Sequence, residues 1–178
     1  LYDGEEQYKQ GPNGEEKGML IHRVPTFIFK ENDQEYSRIV EFPVNDLETD
    51  LAQIALGYAS EPNYRAATYL LELFDSEPLD SIYRNVQTHF NEVYQRVSKE
   101  KELNTLGYLF ETSGRLPQAL LTYEINSVIF SYSPRVLNSY AEALTKNGQK
   151  DRAIEVFKRV VALEPTLESA IAKLKELE

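Results

Sequence analysis

The chain has 178 residues, a formal net charge of -10 and no cysteine, with 12 tyrosines and 8 phenylalanines to fill a core. That length holds one or two domains, and the acidic balance argues against a nonspecific nucleic-acid or anionic-membrane binder. No apolar run is long enough to span a bilayer and no signal peptide is visible, so membrane insertion is not expected. Leu1 stands where a methionine would, and Met19 is the only methionine, which predicts a processed or truncated piece of something longer. Missing targeting signals therefore do not fix a compartment.

Leu1 to Gly18 is polar and glycine-rich and reads as a loop or arm. In the following MLIHRVPTFIFK, Phe27 and Phe29 face one way and Ile28 the other, so neither face is polar. That pattern predicts a strand buried on both sides. Glu31 to Gln34 is a turn, and Glu35 to Phe42 returns as the second strand of a β-hairpin that Pro43 stops. Asn45 is placed to cap a helix, with Glu48 three residues on as the other half of a capping box. Leu47, Leu51, Ile54 and Leu56 give that helix an apolar stripe. One hairpin and one helix are too little to stand alone and need more strands or neighbouring helices.

Ser60 and Pro62 suit the start of a helix running to Phe74, which Asp75 to Pro78 breaks. Ile82, Val86, Phe90 and Val93 then recur at threes and fours, predicting one long helix from Leu79 to Ser98. The pair reads as a divergent helical hairpin that packs the strands against the helices downstream of it.

From Leu103 to Pro165 the chain superposes on itself at a shift of 34 residues. Leu103 falls on Leu137, Gly107 on Ala141, Phe110 on Leu144, Gly114 on Gly148, Ala119 on Ala153, Tyr123 on Phe157 and Ile129 on Leu163. Each copy has one small residue in its first helix and one in its second, where two antiparallel helices must approach closely. Gly114 and Gly148 lie just past the first helices, where a C-cap calls for positive φ. A helix-turn-helix unit of 34 residues is the tetratricopeptide period. The sequence resembles the tetratricopeptide repeat family over about residues 100 to 178. It departs from the pattern at Ser131, where a proline is usual, and at Asn126 and Val160, where alanine is common. Thr166 is placed to cap a last helix, whose Leu167, Ala170, Ile171 and Leu174 would cover the second repeat.

A second resemblance lies upstream. Val24-Pro25-Thr26, then FIFK, a turn, a second strand containing Arg38-Ile39-Val40-Glu41 and an amphipathic helix resemble the C-terminal half of a thioredoxin-like domain, over about residues 18 to 57. The resemblance implies that the proline matching Pro25 is cis and that the backbone of Arg23, Val24, Pro25 and Thr26 aligns a substrate strand. The family's Cys-x-x-Cys, which would lie upstream, is absent. Thiol-disulfide exchange needs a thiolate, so this chain alone cannot perform it. A longer parent would act by attack of a lowered-pKa thiolate on a substrate disulfide.

Other chemistry finds no support. His22 and His89 are the only histidines, and neither has ligand spacing around it. There is no GxSxG or Ser-x-x-Lys, and Gly11, Gly14 and Gly18 precede no phosphate-loop Lys-Ser pair. No cofactor or metal is expected. The acidic pairs Glu100-Glu102 and Asp46-Glu48 read as helix starts and solvated faces.

What remains is binding. In stacked repeats the first helices line a concave surface, here Asn104, Tyr108 and Glu111 from the first copy and Asn138, Glu142 and Thr145 from the second. Asparagines can hold a peptide backbone and a tyrosine offers flat apolar area. The expected partner is a protein or peptide; a homodimer contact, or holding the thioredoxin-like part in place, is the alternative use. The repeats also resemble C-terminal extensions of bacterial catalytic domains, which implies an accessory role and leaves cytoplasm or periplasm open.

The fold class is therefore α+β: a partial thioredoxin-like hairpin with one helix, then a tetratricopeptide-like array. The expected division is a thioredoxin-like portion at 1–57, a divergent hairpin at 58–99 and two repeats with a capping helix at 100–178. The functional reading is an interaction or accessory region of a thiol-disulfide protein. The rival is a redox-inactive adaptor.

Overall fold

A computed structural model describes residues 25–58 and 63–178. Among these residues two strands precede nine helices: an α+β chain in which a small antiparallel hairpin is followed by a helical repeat array.

Strands β1 (Thr26–Glu31) and β2 (Gln34–Val40) pair from Thr26–Val40 to Glu31–Gln34. Asn32 and Asp33 join them at φ 51° and 62°. Two left-handed residues make the tight turn whose twist matches a hairpin, and Asn and Asp are the non-glycine residues that tolerate it best. The register shifts after Phe29, which leaves Tyr36 bulged. The expected burial of β1 on both faces is not found: Phe27 is 52% exposed. Among the described residues the sheet has only these two strands, so neither face of β1 is covered by more sheet. Burial falls instead at the end of β2, on Ser37, Arg38, Ile39 and Val40.

Helix α1 (Leu47–Ala55) starts one residue later than the capping-box reading places it. Asp46 is the N-cap, accepting from Thr49 N at 2.8 Å. Asn45 is engaged elsewhere: its side-chain amide donates to Asp50 Oδ1 at 2.8 Å, and Val44 N donates to Asp50 Oδ2 at 2.7 Å. Asp50, fully buried, folds the loop back over the first turn of α1. Burial alone would raise its pKa; the bonds from Asn45 and Val44 outweigh that and hold it below the usual carboxylate value. The predicted stripe is mostly solvent-facing: Ile54 is buried, but Leu47, Leu51 and Leu56 are exposed.

Helix α2 (Arg65–Ser76) begins after Tyr64, at φ 66°; the expected cap Ser60 and Pro62 lie outside the described residues. Tyr64 offers no side-chain cap. The acceptor comes from far along the chain, because Glu102 Oε1 receives Ala67 N at 3.0 Å and its other oxygen receives Ser98 N at 3.4 Å. Glu102 is 1% exposed, which corrects its reading as a solvated residue. The orphan N–H groups of a helix start need acceptors, and this carboxylate supplies one while sitting against the positive end of the helix.

The long helix predicted from Leu79 is two: α3 (Leu79–Arg84) and α4 (Val86–Arg96). Asn85 breaks it at φ -112°, ψ 20°, its amide donating back to Ser81 O at 3.2 Å. An asparagine amide competing for a backbone carbonyl is a recognised cause of such interruptions. Val93 is fully buried while Val86 is exposed, so the apolar spacing continues across the break without remaining on one face.

The repeats come next as α5 (Glu100–Thr112), α6 (Leu116–Ile129), α7 (Pro134–Lys146) and α8 (Lys150–Leu163). Leu103, Leu106, Phe110, Leu137, Leu144 and Phe157 are all buried in one continuous core. At Gly107 an added Cβ would lie 2.6 Å from the Tyr123 ring, so the close crossing of α5 and α6 depends on this glycine. Gly114 and Gly148 take φ 78° and 72° as the spacing predicts. Arg115 N reaches Phe110 O at 2.8 Å and Gln149 N reaches Leu144 O at 2.9 Å, the Schellman closure of each first helix. Asn126, at the unusual position, is buried and donates to Glu100 O at 3.0 Å, pinning α6 to the start of α5. Helix α9 (Glu168–Leu177) covers the end of the array through Ala170, but its N-cap is Leu167 and Thr166 makes no capping bond. An edge-on contact of Phe74 with Phe110, centroids 5.3 Å apart, carries the core from α2 into α5.

Candidate functional site

The first helices of the two repeats, α5 and α7, stand side by side, and an open groove of about 300 Å³ lies between them. A repeat of 34 residues returns the same helical face at each turn of the array, which is why Asn104 and Asn138 occupy equivalent places. Asn104, Tyr108 and Glu111 line the groove from α5, Tyr123 from α6, and Ser139, Glu142 and Lys146 from α7. Of the six groove residues read from the sequence, four are brought together here. Asn138 stands just behind, donating to Glu142 Oε1 at 2.8 Å. Thr145 is spent locally on Ala141 O at 2.9 Å.

The groove's chemistry is set by oxygen atoms. Asn104 Oδ1 and Asn138 Oδ1 are both buried and have no hydrogen-bond partner. Leaving such an acceptor unmade costs free energy comparable to a lost hydrogen bond, so two at equivalent positions call for an explanation. Tyr108 is 60% exposed and stands over the groove with its ring free for contact. Glu111 pairs with Lys146 and hydrogen-bonds the Tyr123 hydroxyl. Burial chiefly, then the charges of Glu111 and Glu142, raise the Tyr123 pKa far above that of a free phenol, so it stays protonated and donates.

Sequence reasoning missed Tyr123, Ser139 and Lys146. Tyr123 was visible as a hole-filling partner of Phe157, and the hydroxyl that the second copy lacks was the signal of an extra role. Lys146 sits one residue beyond the position equivalent to Glu111, out of phase with the repeat, so the alignment gave no hint of it.

The second predicted site is only partly described. Arg23 and Val24 lie outside the described residues, and so does His22. Pro25 is exposed, and its carbonyl accepts Glu41 N at 2.7 Å, continuing the hairpin ladder by one rung. Thr26 opens β1 opposite Val40. These residues are more than 70 positions upstream of Asn104 in the chain and line no part of the groove.

His89 is buried, and its Nδ1 lies 2.7 Å from the Tyr69 hydroxyl. Among the described residues no three His, Cys, Asp or Glu side chains gather to hold a metal, and no helix is long and apolar enough to cross a membrane.

No family model matches the chain, and no curated protein matches it. Among solved structures, PcrH from Pseudomonas aeruginosa is similar over 66% of this chain and 95% of its own, with 19% identity and a TM-score of 0.44. That degree of likeness is too low to bear on the groove or on its occupant.

Proposed function

We propose that this chain is a protein-interaction region whose groove between α5 and α7 holds a peptide segment of a partner. The observation that carries the reading is the pair of buried, unpartnered carboxamide oxygens on Asn104 and Asn138. They lie one repeat apart on the first helices, Asn104 lining the groove and Asn138 just behind it. An extended peptide has N–H groups to give such acceptors, and Tyr108 offers it an exposed ring. Selection of a displayed peptide library against the protein tests this. Selected peptides should lose binding to an Asn104→Leu, Asn138→Leu double variant that keeps its helical circular dichroism. Undiminished binding to that variant would place the site elsewhere.

The wider role we propose is accessory to a thioredoxin-like thiol-disulfide protein. Support comes from the order β1, β2, α1 with Pro25 immediately before β1, which agrees with the resemblance of these residues to that family. On this reading Arg23, Val24, Pro25 and Thr26 align the substrate strand, and the redox cysteines belong to upstream sequence. The rival is an adaptor without redox chemistry. Intact mass of the protein from its source organism, with and without thiol alkylation after reduction, separates them. Two alkylatable thiols on a heavier chain favour the first; a mass of 20.5 kDa with no alkylation favours the second.

A further inference from the structure

The proposed peptide groove has a chemical bias, and the occupant inferred from that bias rests on the peptide-binding reading of the site. The geometry points to an arginine side chain, carried by a basic extended segment of the partner, as the group that the α5–α7 groove receives. Among the side chains that line the groove, those that stand out are acceptors and a π-face: Asn104 Oδ1, the carboxylates of Glu111 and Glu142, and the Tyr108 ring; the Thr105 and Tyr108 hydroxyls can accept as well as donate. Asn104 Oδ1 is buried without a donor. Asn138 has the orientation of its carboxamide fixed by the bond to Glu142 Oε1, so its oxygen is left as the free end. Glu142 uses one carboxylate oxygen on Asn138, and the other has no hydrogen bond. Glu111 is a second carboxylate.

The cations nearby are already engaged. Lys146 pairs with Glu111, and Lys173, whose charge reaches Glu142, holds Glu176 at 2.7 Å. The lining thus carries two carboxylates against one ammonium, in a chain whose formal charge is -10. An anionic segment would meet like charge there. A neutral one could offer backbone N–H groups but would bring no charge to set against the second carboxylate oxygen of Glu142.

Arginine fits better than lysine for a geometric reason. Its planar guanidinium presents several N–H groups in one plane, enough to reach a carboxamide oxygen and a carboxylate together. The same plane can lie on an aromatic face, and Tyr108 is the exposed ring at this place. A lysine ammonium would gain the charge but not the stacking.

The test uses the whole 178-residue chain, isotope-labelled, and three blocked seven-residue peptides. Each alternates glycine with one residue type, either arginine, glutamine or glutamate, so that the varied side chains fall on one face of an extended chain. The expected result is that the arginine peptide shifts the side-chain amide signals of Asn104 and Asn138 and the ring signals of Tyr108. It should bind at least about tenfold more tightly than the glutamine peptide, as a hydrogen bond to a charged group implies, and lose affinity as salt rises. Tyr108→Ala should weaken the arginine peptide about 2- to 30-fold, and Glu142→Gln on the order of tenfold. Both residues are surface-lining, so the fold should survive either change. Equal binding of the glutamine peptide would overturn the arginine assignment and leave the peptide groove standing. Tighter binding of the glutamate peptide would overturn the charge argument. If none of the three peptides shifts the groove signals, both the assignment and the peptide reading fall.

Discussion

The hairpin with α1 and the repeat array carry similar apolar patterning, and the structure treats them oppositely. In the array the apolar positions of α5 to α8 close on each other. Leu103, Phe110, Leu137 and Phe157 are shut from solvent, and the small residues Gly107, Ala119, Ala141 and Ala153 let the backbones approach. In α1 the buried side chains are Ile54 and the polar Asp50, while Leu51 is 40% exposed and Leu47 more so. Helix α1 makes no extensive contact with another element among the described residues, so apart from Ile54 its stripe finds few holes to fill. Apolar periodicity says which side of an element wants cover; only a complementary neighbour turns that into burial.

The sharpest way to break the comparison is to truncate one side chain in each region. Phe110→Ala should cost about 3–5 kcal/mol, the usual range for a core aromatic whose site cannot collapse. Leu51→Ala should cost well under half of that, because little of its surface leaves water on folding. Urea denaturation of the two variants measures both. A cost for Leu51→Ala as large as that for Phe110→Ala would mean that α1 is covered in solution, by a second copy or by other sequence, and sedimentation velocity would distinguish the two.

Close approach in the first repeat gives the next effect. Gly107→Ala should destabilise by about 1–3 kcal/mol despite the better helix propensity of alanine, since its methyl would meet the Tyr123 ring. The second repeat already has Ala141 at the equivalent place, fully buried, so Ala141→Gly should cost about 1–2 kcal/mol, the propensity difference plus one lost buried methyl. A Gly107→Ala protein as stable as the parent would show that Tyr123 can move aside, and that the groove floor it forms is soft.

The join between the regions gives a comparable but more local effect. Glu102→Ala leaves the N–H of Ala67 without its acceptor and should cost about 1–3 kcal/mol. Amide exchange should then accelerate first in the opening turn of α2. Uniform acceleration along α5 instead would mean that Glu102 acts mainly within its own helix.

The array was legible because its determinants are local and doubled. Gly114 and Gly148 mark the helix ends at one period, and the matched small residues mark the crossings, so each copy vouches for the other. Asn104, Tyr108, Glu111 and Glu142 could be placed on one surface for the same reason. Glu102 was not legible, since its task is set by a helix start 35 residues upstream and the three residues before it are all charged. Asn85 looked like one more polar residue on a helix, because an amide that captures Ser81 O differs from a solvated one only in its rotamer. In the hairpin the pattern gave the strands and the turn but not their burial, which depends on what lies across the sheet.

The smallest effect separates the two regions by acid. Asp50 is held below the usual carboxylate pKa by Asn45 and Val44, against a burial penalty that would raise it. A carboxylate whose folded pKa is depressed contributes stability that is fully present above its unfolded value of 3.8 and lost as pH falls through the folded one. The loop from Val44 to α1 should therefore loosen below about pH 4, where unperturbed aspartates begin to protonate. Amide exchange or nitrogen chemical shifts of Val44 and Asn45, followed from pH 6 down to about 2, would show it as one titration step. Asp46, lowered by its bonds from Thr49, titrates in the same range at the adjacent cap, so Asp50→Asn is the variant that assigns the step. It should remove the transition at Val44 and Asn45 and leave the amides of α7 and α8 unmoved. A step that persists in that variant belongs to Asp46, and would move the control of this loop from the buried carboxylate to the exposed cap.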